Sequence, residues 1–139
     1  MIRYLLDTNA CIGIINDNPP ALRQRVQQVE PTEIAISEIV RYELAFGVCN
    51  SKQVEKNQAA LTHFLKYVQV LPWEEAQSRE AAQIRCELAR KGQPIGHYDT
   101  LIAAHARSLH VTLISHNTRE FGRVDGLHVE DWAAVADDA

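Results

Sequence analysis

The chain alternates short apolar runs with longer segments in which apolar residues recur every three or four positions. The short runs are typical of buried strands, and the longer segments are typical of amphipathic helices. We predict strands at residues 2–6, 33–37, 68–71, 111–115 and about 127–129. We predict helices at residues 10–15, from 20 onward, and at 37–48, 54–67, 74–91 and 99–109. Alternating strands and helices indicate an α/β fold, with helices on both faces of a central parallel sheet of about five strands, as one domain over residues 1–139.

Composition and charge narrow the class of protein. Hydrophobic residues make up 46% and charged residues 23% of the chain, as in ordinary globular proteins. No apolar run approaches the roughly 20 residues of a membrane helix. Asp7 interrupts the first apolar run, so we expect no signal peptide and a cytoplasmic protein. The net charge of −4 argues mildly against a general nucleic-acid binder, unless a divalent cation offsets an acidic site.

The three cysteines do not form a recognisable pattern. Cys11, Cys49 and Cys86 are odd in number and far apart, so a disulfide framework or a paired-cysteine metal site is not expected. We interpret all three as small core residues.

Polar and acidic residues follow several of the predicted strands. Asp7 comes directly after the first strand, Asn117 and Glu120 follow the strand at 111–115, and Asp99 opens an apolar helix. Glu43 lies on the apolar face of the helix at 37–48. In parallel α/β folds, ligands bind beyond the carboxyl ends of the strands, so we expect these groups at one edge of the sheet. Clustered carboxylates favour a hard cation such as Mg²⁺ or Mn²⁺, and metal-assisted phosphodiester hydrolysis is the chemistry that suits them.

Each of these residues also has a purely structural interpretation. Asp7 could form a turn, Asp99 could stabilise the first turn of its helix, and Asn117 could be a helix cap. Glu43 could pair with a buried arginine, for which the candidates are Arg41, Arg85 and Arg107.

Other catalytic motifs are missing from the sequence. It contains no glycine-rich phosphate loop, no GxSxG elbow and no HExxH zinc motif. His97 and His116 flank proposed site residues, so either could touch a phosphate or assist proton transfer. Arg85 on the long helix could contact phosphate, although a solvated helix face is the simpler interpretation.

Three segments resemble the PIN-domain ribonucleases, and among them the VapC-type toxins of bacterial VapBC toxin–antitoxin pairs. The segments are MIRYLLDTNACI, YELAFG, and IRCELARKGQPIGHYDTLIAAHA with the following LISHNTREFGRVDGL and EDW. The resemblance spans nearly the whole chain and implies a PIN-like three-layer α/β/α fold. It implies an Mg²⁺- or Mn²⁺-dependent endoribonuclease acting on structured RNA of the tRNA or rRNA class.

The same resemblance implies roles for particular residues. Asp7, Glu43 and Asp99 would form the acidic metal site. Family members often carry a fourth acidic residue where this chain has Asn117, so Glu120 would supply the fourth carboxylate or a second metal would be weakly held. Thr8, Asn9 and Asn117 would orient ligands through hydrogen bonds.

The resemblance also implies protein partners. A VapB-type antitoxin would wrap the chain, and homodimers or toxin–antitoxin hetero-oligomers would form. We expect the antitoxin to use an apolar groove between the early helices, lined by Cys11, Ile12, Ile15, Ile39 and Val40. The alternative function is a catalytically weak or inactive PIN-like binding or regulatory module.

Overall fold

The computed structural model describes residues 1–134 and contains a five-stranded sheet. The strands are β1 (Tyr4–Leu6), β2 (Ile34–Ser37), β3 (Gln69–Leu71), β4 (Thr112–Ile114) and β5 (Val129–Glu130). All four pairings are parallel, in the order β3-β2-β1-β4-β5. The expected α/β fold with a central parallel sheet is therefore confirmed.

Seven α-helices connect or follow the strands in the described part of the chain. They are α1 (Thr8–Asn16), α2 (Pro20–Gln27), α3 (Glu38–Cys49), α4 (Val54–Phe64), α5 (Glu75–Arg90), α6 (His97–Leu109) and α7 (Thr118–Phe121). The sequence predicted that α6 begins at Asp99, whereas the helix begins two residues earlier, at His97. The sequence did not predict α7, because a helix of four residues is too short to show a periodic pattern. No helix in residues 1–134 combines the length and apolar character needed to span a bilayer.

Strand β1 lies at the centre of the sheet, which explains its continuous apolar sequence. Leu5 and Leu6 are fully buried, as expected for a parallel strand covered on both faces. From β1 the chain moves outward through β2 and β3 on one side and returns to β4 and β5 on the other. The order of the strands therefore reverses between β1 and β4, which leaves a crevice at their carboxyl ends.

The interpretation of the cysteines is correct for Cys11, which is buried, and wrong for Cys49 and Cys86, which are exposed. Cys86 lies midway between Ile84 and Leu88 on α5, which are one turn apart and both buried. A residue two positions from each of them faces the opposite side of the helix. Cys49 is the last residue of α3.

Candidate active site

The crevice between β1 and β4 brings together carboxylates from four separate parts of the chain. Asp7 follows β1, and its backbone N–H donates to the Ile114 carbonyl of β4 over 3.1 Å. Glu43 lies on α3, which follows β2. Asp99 lies in the first turn of α6, and Glu120 lies on α7, which follows β4.

Asp7 is a buried carboxylate held in one position. It is the N-cap of α1, and its Oδ1 accepts the Ala10 backbone N–H over 2.8 Å. Burial raises the pKa of Asp7, hydrogen bonds from Ser115 and Ala10 oppose this rise, and the charges of Glu43 and Asp131 add to it. Asp7 therefore caps α1, and this contact fixes the direction of a carboxylate that other acidic groups approach.

Glu43 is oriented by the neighbouring helix α1. The Thr8 hydroxyl donates to Oε1 of Glu43 over 2.7 Å, between residues 35 positions apart. Glu43 forms no ion pair with any residue in the range 1–134, and Arg107 instead pairs with Glu80 and Glu87. The alternative interpretation, in which Glu43 pairs with an arginine, is therefore wrong, whereas the expected orienting role of Thr8 has a contact to support it.

Asp99 is half-buried and is not a helix cap. The N-cap of α6 is Gly96, and no side chain caps this helix. The pKa of Asp99 is raised to about 6, by burial first and then by the charges of Glu120, Asp7 and Glu43. A carboxylate perturbed by three others lies in a pocket of uncompensated negative charge.

Asn117 and Glu120 act as a connected pair. The Asn117 side-chain amide donates to Oε2 of Glu120 over 3.1 Å, and the Asn117 backbone N–H donates to Ser115 Oγ over 2.9 Å. Asn117 occupies the N-cap position of α7 but makes no side-chain capping bond there. The alternative interpretation of Asn117 as a plain cap is therefore wrong, since its amide binds the carboxylate that acts most strongly on Asp99.

Sequence reasoning missed two residues near Asp7. The buried Ser115 hydrogen-bonds Asp7 and also accepts from the Asn117 backbone, so it links β1 to the loop before α7. Asp131 raises the pKa of Asp7 through its charge, and its Oδ2 lies 2.8 Å from His116 Nδ1. The only sequence signal for Asp131 was its place in the terminal EDW segment.

The remaining candidates lie at the edge of the crevice or outside it. Asn9 and His116 line a separate cavity of about 240 Å³ together with Asp131. Asn9 and His97 are exposed, and neither makes a side-chain hydrogen bond within the described range. No contact observed in residues 1–134 therefore supports an orienting role for Asn9 or a catalytic role for His97.

The donor set suits a divalent cation in charge and chemistry. Carboxylate oxygens are hard ligands, and the raised pKa of Asp99 reflects repulsion that a cation would relieve. Within residues 1–134, however, no three acidic, histidine or cysteine side chains converge closely enough to hold a metal ion. Cation binding would therefore require the side chains of the crevice to move closer together.

The apolar groove predicted for an antitoxin is wrong in two of its residues. Cys11 and Val40 are fully buried in the core and cannot line a surface. A groove of about 690 Å³ does exist elsewhere, between α1, α2 and α4, and of the predicted residues it includes only Ile15. The sequence pattern identified Cys11 and Val40 as apolar, but it could not distinguish core positions from surface positions.

The fold and the crevice define a parallel α/β protein whose acidic residues meet at the switch point of the sheet. The PIN domain model matches residues 4–127. The chain belongs to the PIN-domain family and, within it, to the VapC ribonucleases. It is 40% identical over 133 residues to the tRNA(fMet)-specific endonuclease VapC of Shigella flexneri, covering 96% of this chain and all of that protein.

Solved structures agree with the sequence comparison. The DNA-bound VapBC of Salmonella typhimurium contains a chain that is 39% identical, with a TM-score of 0.90, covering 95% of this chain and 99% of that one. VapBC2 of Rickettsia felis, bound to a DNA fragment from its promoter, contains a chain that is 38% identical with a TM-score of 0.89 and the same coverage. These neighbours confirm the PIN-like arrangement of the sheet and helices.

Proposed function

We propose that this chain is an endoribonuclease of the toxin–antitoxin type that cleaves structured RNA of the tRNA or rRNA class. The observation that carries the proposal is the crevice itself, in which Asp99 is perturbed by Glu120, Asp7 and Glu43. The relative from Shigella flexneri is named for cleavage of tRNA(fMet), which makes this tRNA the first substrate to test.

The cofactor we propose is Mg²⁺ or Mn²⁺, held by Asp7, Glu43 and Asp99. When bound, such a cation polarises a phosphoryl oxygen and lowers the pKa of water. The contacts of Asp7 and Glu43 support this assignment, because Ala10, Ser115 and Thr8 fix the direction of both carboxylates. Ligands that are already oriented lose less conformational entropy when they bind an ion.

Glu120 takes the place of the fourth acidic residue. Of the three carboxylates whose charges raise the pKa of Asp99, Glu120 has the largest effect. Asn117 holds the Glu120 carboxylate by a hydrogen bond. In this assignment Asn117 positions Glu120, and Glu120 contributes the negative charge that the asparagine lacks.

We extend the proposal to the domain organisation, cellular location and partners of the protein. Residues 1–139 would act as a single PIN domain in the cytoplasm. The chain would form a homodimer or a hetero-oligomer with a VapB-type antitoxin, since the solved neighbours are VapBC complexes.

The first experiment is cleavage of tRNA(fMet) by the purified chain with Mg²⁺, Mn²⁺ or EDTA, beside Asp7→Asn and Glu120→Gln. We expect metal-dependent cleavage that falls at least about 100-fold in Asp7→Asn, with a smaller loss in Glu120→Gln. Asp125→Asn is the control, because Asp125 is exposed and pairs with Lys91 away from the crevice.

The second candidate is the catalytically weak or inactive binding module, which is favoured by the lack of three converging ligands within residues 1–134. It requires that RNA is bound but that the parent chain and Asp7→Asn give the same background cleavage. That result, obtained with both metals, would overturn the proposed activity.

A further inference from the structure

Two exposed tyrosines lie beside the acidic crevice, each directly before one of its carboxylates in the sequence. Tyr42 precedes Glu43 on α3, and Tyr98 precedes Asp99 on α6. The exposed fractions are 56% for Tyr42 and 45% for Tyr98. Neither ring is part of the core, so burial in the core does not account for aromatic residues at these two positions.

The two rings form a single unit across the two helices. Their centroids are 5.8 Å apart at an angle of 36°, and the Tyr98 hydroxyl lies 3.4 Å from that of Tyr42. The pair joins α3 to α6, and each ring is carried by the residue directly before a crevice carboxylate, Glu43 or Asp99. The pair therefore lies at the edge of the crevice.

The spacing of the rings decides how a nucleobase could use them. A base inserted between two rings needs about 7–8 Å between the ring planes, since each stacked contact takes about 3.5–4 Å. The observed separation is too small for insertion. A base would instead stack on the outer, solvent-exposed face of one ring, while the other ring supports it from behind.

Charge explains why stacking would matter here. The chain has a net charge of −4, and the crevice concentrates carboxylates that repel the phosphates of RNA. Stacking on an aromatic face is largely independent of charge and is available to any unpaired base. Beside an acidic centre, it is the interaction best able to hold RNA close without competing for the cation.

We propose that Tyr42 and Tyr98 form a stacking platform for one unpaired RNA base next to the cleaved phosphate. The proposal rests on the endoribonuclease function proposed above. The tyrosines act by positioning the RNA, so the loss of an aromatic ring should matter and the loss of a hydroxyl should not.

The first test measures binding without cleavage. Hairpin RNAs, each carrying one 2-aminopurine at a successive loop position, are titrated with the protein in EDTA, and quenching of fluorescence reports stacking. We expect quenching at one position, and an affinity about 10-fold lower for Tyr42→Leu and Tyr98→Leu. Tyr42→Phe and Tyr98→Phe should stay within about two-fold of the parent chain, since both keep the ring.

Tyr67→Leu is the matched control. Tyr67 is also 56% exposed, but it lines the groove between α1, α2 and α4 rather than the crevice. Its replacement should leave both quenching and affinity unchanged. Thermal melting of all variants checks that the exposed substitutions leave the fold intact.

The second test measures cleavage with Mg²⁺ or Mn²⁺. The leucine variants should lower kcat/KM by about 10-fold on normal RNA, and this loss should vanish on RNA with an abasic site at the quenched position. A merely structural role of the tyrosines would lower cleavage of both RNAs equally.

The outcomes separate this inference from the proposed function. If the protein quenches 2-aminopurine fluorescence but never cleaves RNA, the stacking platform is supported and the nuclease activity is rejected. Normal cleavage with no quenching, or with unaffected leucine variants, would reject the platform alone. If sedimentation shows that Tyr42→Leu and Tyr98→Leu dissociate an oligomer and lose RNA only for that reason, the pair is a contact between copies and the platform is overturned.

Discussion

Removing the charge of Asp99 should stabilise the metal-free protein while weakening its response to metal. Asp99 lies half-buried among carboxylates, and its pKa is raised from 3.8 to about 6. A group whose pKa is higher in the folded protein than in the unfolded chain destabilises the fold once it is ionised. The stabilising effect of its protonation is fully present below pH 3.8 and is lost as the pH rises through about 6.

The size of the destabilisation by ionised Asp99 follows from the difference between its pKa in the unfolded chain, 3.8, and in the folded protein, about 6. At pH 7.5 this difference corresponds to at most ~3 kcal/mol of unfavourable free energy in the folded state. Because Asp99 is half-exposed, screening by solvent reduces this to ~1 kcal/mol. The favourable interaction of Asp99 with the first turn of α6 subtracts a further ~0.3–1 kcal/mol from the gain. We therefore expect Asp99→Asn to raise the free energy of unfolding by up to ~0.7 kcal/mol.

The assay is urea unfolding of the parent chain and Asp99→Asn at pH 7.5, first in EDTA and then with Mn²⁺ or Mg²⁺. In EDTA the variant should be the more stable of the two. With metal the order should reverse, because a cation present at 100 times its Kd adds ~2.7 kcal/mol to the parent chain. The loss of one ligand should weaken this gain in the variant.

Asp125→Asn is the control for the sign of the effect. Lys91 lowers the pKa of Asp125, so the same substitution there should not stabilise the protein and should leave the metal response unchanged. If Asp99→Asn is less stable than the parent chain in EDTA, or gains as much stability from metal, then the repulsion inferred for the crevice is wrong.

Three further predictions concern the rest of the fold. His105 is buried with an unpartnered Nδ1 among the described residues, and burial lowers its pKa from 6.5 to about 4. The free energy of unfolding should therefore fall as the pH is lowered from 6.5 to 4, because the unfolded chain takes up a proton that the folded protein does not. Urea titrations of His105→Leu should show a weaker fall over this range. Gly13→Ala should destabilise the protein by ~1–3 kcal/mol in thermal melts, because its Cβ would overlap Leu22 Cδ1 and lie 3.0 Å from the Asn18 backbone oxygen. An unchanged Tm would contradict this packing. Arg107→Met should lower the free energy of unfolding, measured in urea, by ~1–3 kcal/mol, because it leaves the partly buried Glu80 and Glu87 without their partner. A loss below ~0.5 kcal/mol would show that these two ion pairs do not stabilise the packing of α5 on α6.

Local sequence patterns determined the elements of this protein because their causes are local. The apolar run ending at Leu6 predicts a strand buried on both faces, and the position of Asp7 right after it predicts an end of the sheet. The apolar residues after Asp99 predict helix α6, although its first residue is His97. Side chains one turn apart on a helix, or two apart on a strand, share a face whatever the rest of the chain does.

The tertiary structure alone decided which distant side chains meet. Thr8 hydrogen-bonds Glu43 because strand β2 pairs beside β1, and Ser115 reaches Asp7 because β4 pairs on the other side. The contact between Tyr42 and Tyr98 likewise depends on how α3 and α6 pack. Strand order and helix packing depend on contacts over the whole core, and no local periodicity encodes them. The sequence could therefore identify the carboxylates of the crevice as candidate site residues, but only the tertiary structure could determine what surrounds each one.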